Sequence, residues 1–132
     1  QMLEPAQVAA VWQAFVQAAG EAPALLEFAR GHKLCTLYHL PDAGLSLYLA
    51  FAGGRIIGGV GQPPVPAHVR LTMSAALFDG LFQGEVDGRR AALSGKIAFS
   101  GSIARGLSLQ VIQDDLSRVY REARARSPAA NT

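Results

Sequence analysis

Residues 45–51 read Leu-Ser-Leu-Tyr-Leu-Ala-Phe, a strict alternation that fits one backbone conformation. Successive side chains of an extended chain point to opposite faces. Leu45, Leu47, Leu49 and Phe51 therefore share one face, and Ser46, Tyr48 and Ala50 the other. A slip of one residue would turn the whole apolar set into water, so this segment is read as a strand with one face on a core. Elsewhere the apolar period is helical. Residues 4–19 carry Val8, Val11, Trp12, Phe15, Val16 and Ala19 at i, i+3, i+4 spacing, with Pro5 suited to the first turn and Gly20 to the end. A chain holding both periods must pack helices against a sheet.

The remaining elements follow from local signals. Pro23 opens a short helix that Gly31 closes. Lys33–Leu40 forms a strand, joined to 45–51 through Pro-Asp-Ala-Gly, and Ala52–Gly54 turns the chain into a third strand, Arg55–Gly61. The glycines of that strand would let a side chain or ligand approach its backbone closely. Gln-Pro-Pro-Val-Pro-Ala (62–67) cannot be a central strand and reads as an extended connector. His68–Met73 is the fourth strand. Ser74 caps a helix over 75–83 with Gly84 just past its end, and Asp87 caps another over 88–94 that Gly95 closes. Lys96–Ser100 is the fifth strand, between Gly95 and Gly101, and Ser102 starts the last helix. The expected fold is a single α+β domain over residues 1–132, a five-stranded, largely antiparallel sheet covered by helices. Residues 127–132 are expected as a frayed tail.

The last helix has too much apolar surface for one stripe. Ile103, Ala104, Leu107 and Val111 cluster on one side; Leu109, Ile112, Leu116, Val119, Tyr120 and Ala123 cluster on roughly the opposite side. With a kink at Gly106, one side is expected to close on the sheet. The other is expected to meet the N-terminal helix or a second subunit; which side does which is left open, and Val119 and Tyr120 are the contacts expected if the chain self-associates.

Several chemistries are excluded by what does not converge. His32, His39 and His68 stand in different segments without a Cys or carboxylate at ligand spacing, so no metal or cofactor is expected. The glycine-rich strand matches no phosphate-binding pattern, and no G-x-S-x-G elbow occurs. Asp114 and Asp115 diverge by about 100° on a helix. The chain is therefore not read as an enzyme. Its 12 basic and 10 acidic residues include no basic block, so no nucleic-acid partner is expected. A single cysteine, Cys35, and no apolar run of membrane-spanning length suit a cytoplasmic protein. What remains is apolar: half of the chain is hydrophobic, so either the core is generous or some apolar surface is reserved for a ligand or partner. Arg89 and Arg90 could pair with an acidic head group at the mouth of a cavity.

The run from Ala67 to Ile112, Ala-His-Val-Arg-Leu-Thr-Met-Ser through Gly-Lys-Ile-Ala-Phe-Ser-Gly to Leu-Gln-Val-Ile, resembles the sterol carrier protein type 2 domain family. The features that carry the resemblance are Leu71–Ser74, Phe78, Gly84, Gly95–Lys96–Ile97, Phe99 and Gly101, and the meander from Leu45 extends it over 45–112. The N-terminal helical region, 4–30, lies outside that stretch. The resemblance implies a sheet covered by helices, with an apolar cavity for fatty acyl chains, sterols or other lipids, bound and transferred without catalysis. Phe51, Leu71, Met73, Phe78, Leu81, Phe82, Ile97, Phe99 and Ile112 are the expected lining residues. Without a Ser-Lys-Leu address at its C-terminus, the chain looks like a prokaryotic member. Transient membrane contact is the expected accompaniment of transfer. The alternative is an accessory or dimerisation module for a partner enzyme, with a homodimer formed through the N-terminal or C-terminal helix.

Overall fold

The structure, a computed structural model, describes residues 3–127. The expected tail lies outside this range except for Ser127, which is buried. Helix α1 (Pro5–Ala19) is followed by α2 (Pro23–Gly31), then by strands β1 (Leu34–Leu40), β2 (Leu45–Ala52), β3 (Arg55–Val60) and β4 (Val69–Thr72). Helices α3 (Ala75–Phe82) and α4 (Gly88–Leu93) precede β5 (Ala98–Gly101), α5 (Ile103–Val111) and α6 (Gln113–Arg126). The sheet order is β3-β2-β1-β4-β5, with β1 and β4 parallel and every other pair antiparallel. The α+β architecture and the mostly antiparallel sheet are those expected. The proline-rich connector spans the sheet from β3, at one edge, to β4 beyond β1.

Capping side chains set the helix starts. Ser74 Oγ accepts from Leu77 N–H at 3.1 Å, Asp87 Oδ1 from Arg89 and Arg90 N–H at 3.0 and 3.2 Å, and Ser102 Oγ from Arg105 N–H at 3.2 Å. Strand β5 begins later than the expected Lys96. Both Lys96 and Ile97 donate their backbone N–H to the Ala91 carbonyl (2.9 and 3.2 Å), which holds them against the end of α4 and out of the ladder.

The glycines of β3 receive a helix. A β-carbon at Gly58 would stand 2.6 Å from Val16 Cγ2 and 2.8 Å from the Tyr48 carbonyl, so only glycine lets α1 lie on the strand. Trp12, wholly buried, donates its indole N–H to the carbonyls of Gly59 (3.1 Å) and Tyr48 (3.3 Å). Its ring leads a cluster with Phe15, Tyr38, Phe78 and Phe82 at centroid distances from 4.9 to 5.6 Å, and Tyr120 of α6 closes on Phe82 at 5.3 Å.

A polar latch joins α3 to α6. Asp79 accepts from Tyr120 O–H (2.7 Å), from Arg124 through Nε and Nη2 (3.0 and 2.9 Å) and from Gln83 Nε2 (2.9 Å). Burial and the bond to Asp79 push the Tyr120 hydroxyl well above the ordinary tyrosine range, and the same carboxylate raises Arg124 further, so both remain donors.

The two apolar stripes belong to two helices. The break falls at Ile112 (φ −105°, ψ 8°), not at the expected Gly106, and α5 runs straight through that glycine. Gly106 serves a contact instead: a β-carbon there would stand 2.7 Å from the Phe99 ring. Leu116, Val119, Tyr120 and Ala123 are buried in their own chain, with α6 packed on α1 and α3. They are thus no free dimer face, and the apolar side of α1 is covered likewise. The exposed stripe is Ile103, Leu107 and Val111, at 71, 57 and 79 % exposure.

Candidate ligand-binding cleft

Between α4, α5 and the β4–β5 side of the sheet lies a cleft of about 350 Å³, near the small end of the roughly 300–1,000 Å³ range of ligand pockets. Its floor is a single row across three strands. Tyr38 of β1 is opposite Leu71 of β4, which is opposite Phe99 of β5. Tyr38 is 2 % exposed, Leu71 half-buried and Phe99 40 % exposed, so the row runs from a closed end to an open edge. Val69 and Ile97 complete the floor; Leu81 and Phe82 of α3 and Leu116 of α6 form the back. The roof is Leu109 with Leu107 and Ile103, and Leu93 (87 % exposed) stands at the lip.

Polar groups on the wall are few. Arg89 is its one charged residue, joined by Gln110, Gln113 and the Tyr38 hydroxyl. Gln113 is partly spoken for, since its Nε2 donates to Ser117 Oγ at 3.1 Å. Burial pushes Tyr38 far above the usual tyrosine range, so its hydroxyl stays neutral. Cys35 is likewise buried, free and raised by burial, which leaves it a protonated thiol beside the sheet. Among the described residues no group of three or more His, Cys, Asp or Glu side chains is placed to hold a metal ion. A second hollow, of about 440 Å³, is lined by Asp79, Gln83, Glu85 and Arg124, and its Asp79–Arg124 pair is already matched.

Of the residues expected to line a cavity, Leu71, Leu81, Phe82, Ile97 and Phe99 converge on this cleft. Four others are placed elsewhere. Phe51 lies toward α2, its ring 5.0 Å from that of Phe28. Phe78 packs on Trp12 at 5.5 Å, while Met73 and Ile112 are buried in the core cluster. Sequence reasoning missed Tyr38, Val69, Leu109 and Leu116, all of them apolar positions on already recognised elements. It also missed the rim, for which the surplus stripe of α5 was the available signal.

No helix among the described residues is long and apolar enough to cross a membrane. The fold matches a possible sterol carrier protein of Thermus thermophilus over 98 % of this chain and 94 % of that one, at 18 % identity and a TM-score of 0.67. It matches a crystal structure of sterol carrier protein 2 over 86 % of this chain and 95 % of that one, at 19 % identity and a TM-score of 0.64. The inverting sec-alkylsulfatase Pisa1 of a Pseudomonas species also contains the fold, at 19 % identity and a TM-score of 0.57. There the match covers 67 % of this chain but only 14 % of the sulfatase, so this chain corresponds to a small part of that enzyme. A search of curated protein sequences finds no match. The sequence pattern of the SCP-2 sterol transfer family matches residues 13–114, well over half of the chain. With that match over most of its length, the chain belongs to the SCP-2 sterol transfer family.

Proposed function

We propose that this protein binds a lipid-like molecule, with a fatty acyl chain or a comparable apolar body, in the cleft between α4, α5 and the sheet, and carries it without chemical change. The observation that supports this most directly is the cleft itself: apolar on floor, back and roof, with a single cation, Arg89, on its wall. Burying an acyl chain contributes about 0.8 kcal/mol per methylene, so useful affinity needs no elaborate head-group site. Arg89 suits an acidic head group left at the lip. The whole chain, 1–132, is read as one such unit acting in the cytoplasm of a prokaryote, in keeping with a free, buried Cys35. Leu93, Ile103, Leu107 and Val111 form an exposed apolar collar beside the mouth, which would meet a bilayer during loading.

Filling the cleft tests the reading. Ala92 lies on the wall at an exposed position, so Ala92→Trp occupies the space without disturbing the core. Titration with a fluorescent fatty acid should show saturable, displaceable binding by the wild type and about tenfold weaker binding by the variant, the equivalent of about 1.4 kcal/mol. Equal binding by both proteins, or none by the wild type, refutes the proposal. A second reading, an accessory or self-associating module, is favoured by the same collar. Light scattering would then show a dimer that Val111→Asp disperses.

A further inference from the structure

The three buried aromatic side chains with a polar atom are not alike. The Trp12 indole N–H donates to two carbonyls, and the Tyr120 hydroxyl to Asp79. The Tyr38 hydroxyl has no hydrogen-bond partner among the described residues, although the residue is 2 % exposed. Buried tyrosine hydroxyls ordinarily find one. Among the described residues, Thr36 Oγ1 is the one side-chain polar atom sealed from all accessible space without a partner. The Tyr38 oxygen is therefore unpartnered but not sealed, and the space that Tyr38 lines is the cleft.

Its place along the cleft is set by the sheet. Tyr38, Leu71 and Phe99 face one another across β1, β4 and β5, and strands are about 4.8 Å apart. The hydroxyl-bearing residue is thus about 10 Å behind the open edge at Phe99, and Arg89, on α4, is the one charged residue of the wall.

Resting on the binding reading above, we infer that Tyr38 is an inner polar subsite. The ligand it fits is an acidic lipid whose buried portion carries a hydrogen-bonding oxygen, a hydroxyl or keto group, about 10 Å from the mouth. A plain hydrocarbon chain would leave the Tyr38 hydroxyl unpaired when it displaced water from the cleft. A chain with an oxygen at that depth satisfies both groups, and discrimination of this kind is strong because the mismatched partner leaves a buried polar group unpaired.

The test compares octadecanoic acid with the same acid bearing a hydroxyl at each of several mid-chain positions, using wild type and Tyr38→Phe in calorimetric titrations. For at least one hydroxyl position, the variant should bind the hydroxy acid about tenfold more weakly than the wild type does. It should bind octadecanoic acid as well as the wild type, or better. Without ligand the variant should melt no lower than the wild type, because the group removed bonds to nothing in the protein. Equal losses for both acids would mean that Tyr38 only packs, and a melting point several degrees lower would mean that its hydroxyl is structural. Either outcome overturns the inference, as does a hydroxy-acid affinity that Tyr38→Phe leaves unchanged at every position. If octadecanoic acid itself fails to bind the wild type, the cleft reading falls and this inference falls with it.

Discussion

Replacing Asp79 with alanine would remove the one acceptor shared by Arg124, Tyr120 and Gln83. The Asp79 and Arg124 side chains are 13 and 20 % exposed, so neither is freely hydrated when the other is lost. Breaking a fully buried pair costs about 3–5 kcal/mol. With this residual exposure we take about 2–4 kcal/mol, much of it from the unpaired Arg124 and the unpaired Tyr120 hydroxyl. At this chain length each kcal/mol is worth about 4 °C, so the melting temperature should fall by about 10 °C. Urea unfolding of Asp79→Ala, Arg124→Met and the double variant completes the cycle. The second substitution should cost less once the first is made, by about 1–3 kcal/mol. Because α3 and α6 supply Leu81, Phe82 and Leu116 to the back of the cleft, ligand affinity should drop along with stability. A loss under about 1 kcal/mol for Asp79→Ala, or a coupling within about 0.5 kcal/mol of zero, would show the latch to be an ordinary surface pair.

Two further outcomes are expected. Gly101 has φ +111°, and a β-carbon there would collide with the His68 carbonyl oxygen, so Gly101→Ala should cost at least about 2 kcal/mol in urea unfolding. Gly31→Ala, which meets nothing within 4 Å, should be neutral or stabilising by about 0.5 kcal/mol; the reverse order would contradict the geometry. His68 Nδ1 accepts from the Cys35 N–H at 2.9 Å, and partial burial, then Arg105 and Lys33, lower its pKa. A histidine depressed in the folded state contributes stability that is present above the unfolded value of about 6.5 and lost as pH falls through the folded value. As pH falls below about 6.5, wild type should therefore lose stability more steeply than His68→Asn, which keeps an acceptor but cannot titrate; parallel melting curves would refute this.

Most of the fold was legible because its signals are local. Alternation over Leu45–Phe51, prolines at helix starts, and caps at Ser74, Asp87 and Ser102 each depend on residues close in sequence. What sequence could not supply were choices made by distant partners. Lys96 and Ile97 have strand-like side chains, yet the Ala91 carbonyl claims their N–H groups. Phe78 and Phe82 lie one helical turn apart on α3 and both pack on Trp12, yet only Phe82 also reaches the cleft. Hydrophobicity marks a residue as buried without saying whether its neighbour is another side chain or empty space. The latch of Asp79 with Tyr120 and Arg124 escaped notice for the same reason, and Tyr120 was read only as part of an apolar stripe, since partners about 41–45 residues apart leave no spacing pattern.

The single tryptophan of the chain is placed as a built-in optical donor. Trp12 is shut away from solvent, so its emission is not quenched by water or small ions, yet two of its ring neighbours, Phe82 at 5.3 Å and Tyr38 at 5.6 Å, are themselves cleft wall. A polyene fatty acid lodged in the cleft would be one ring behind the indole and would take up its excitation by energy transfer. Occupancy could then be followed in the unlabelled protein as sensitised acceptor emission, with native cargo measured by how fast it extinguishes that signal.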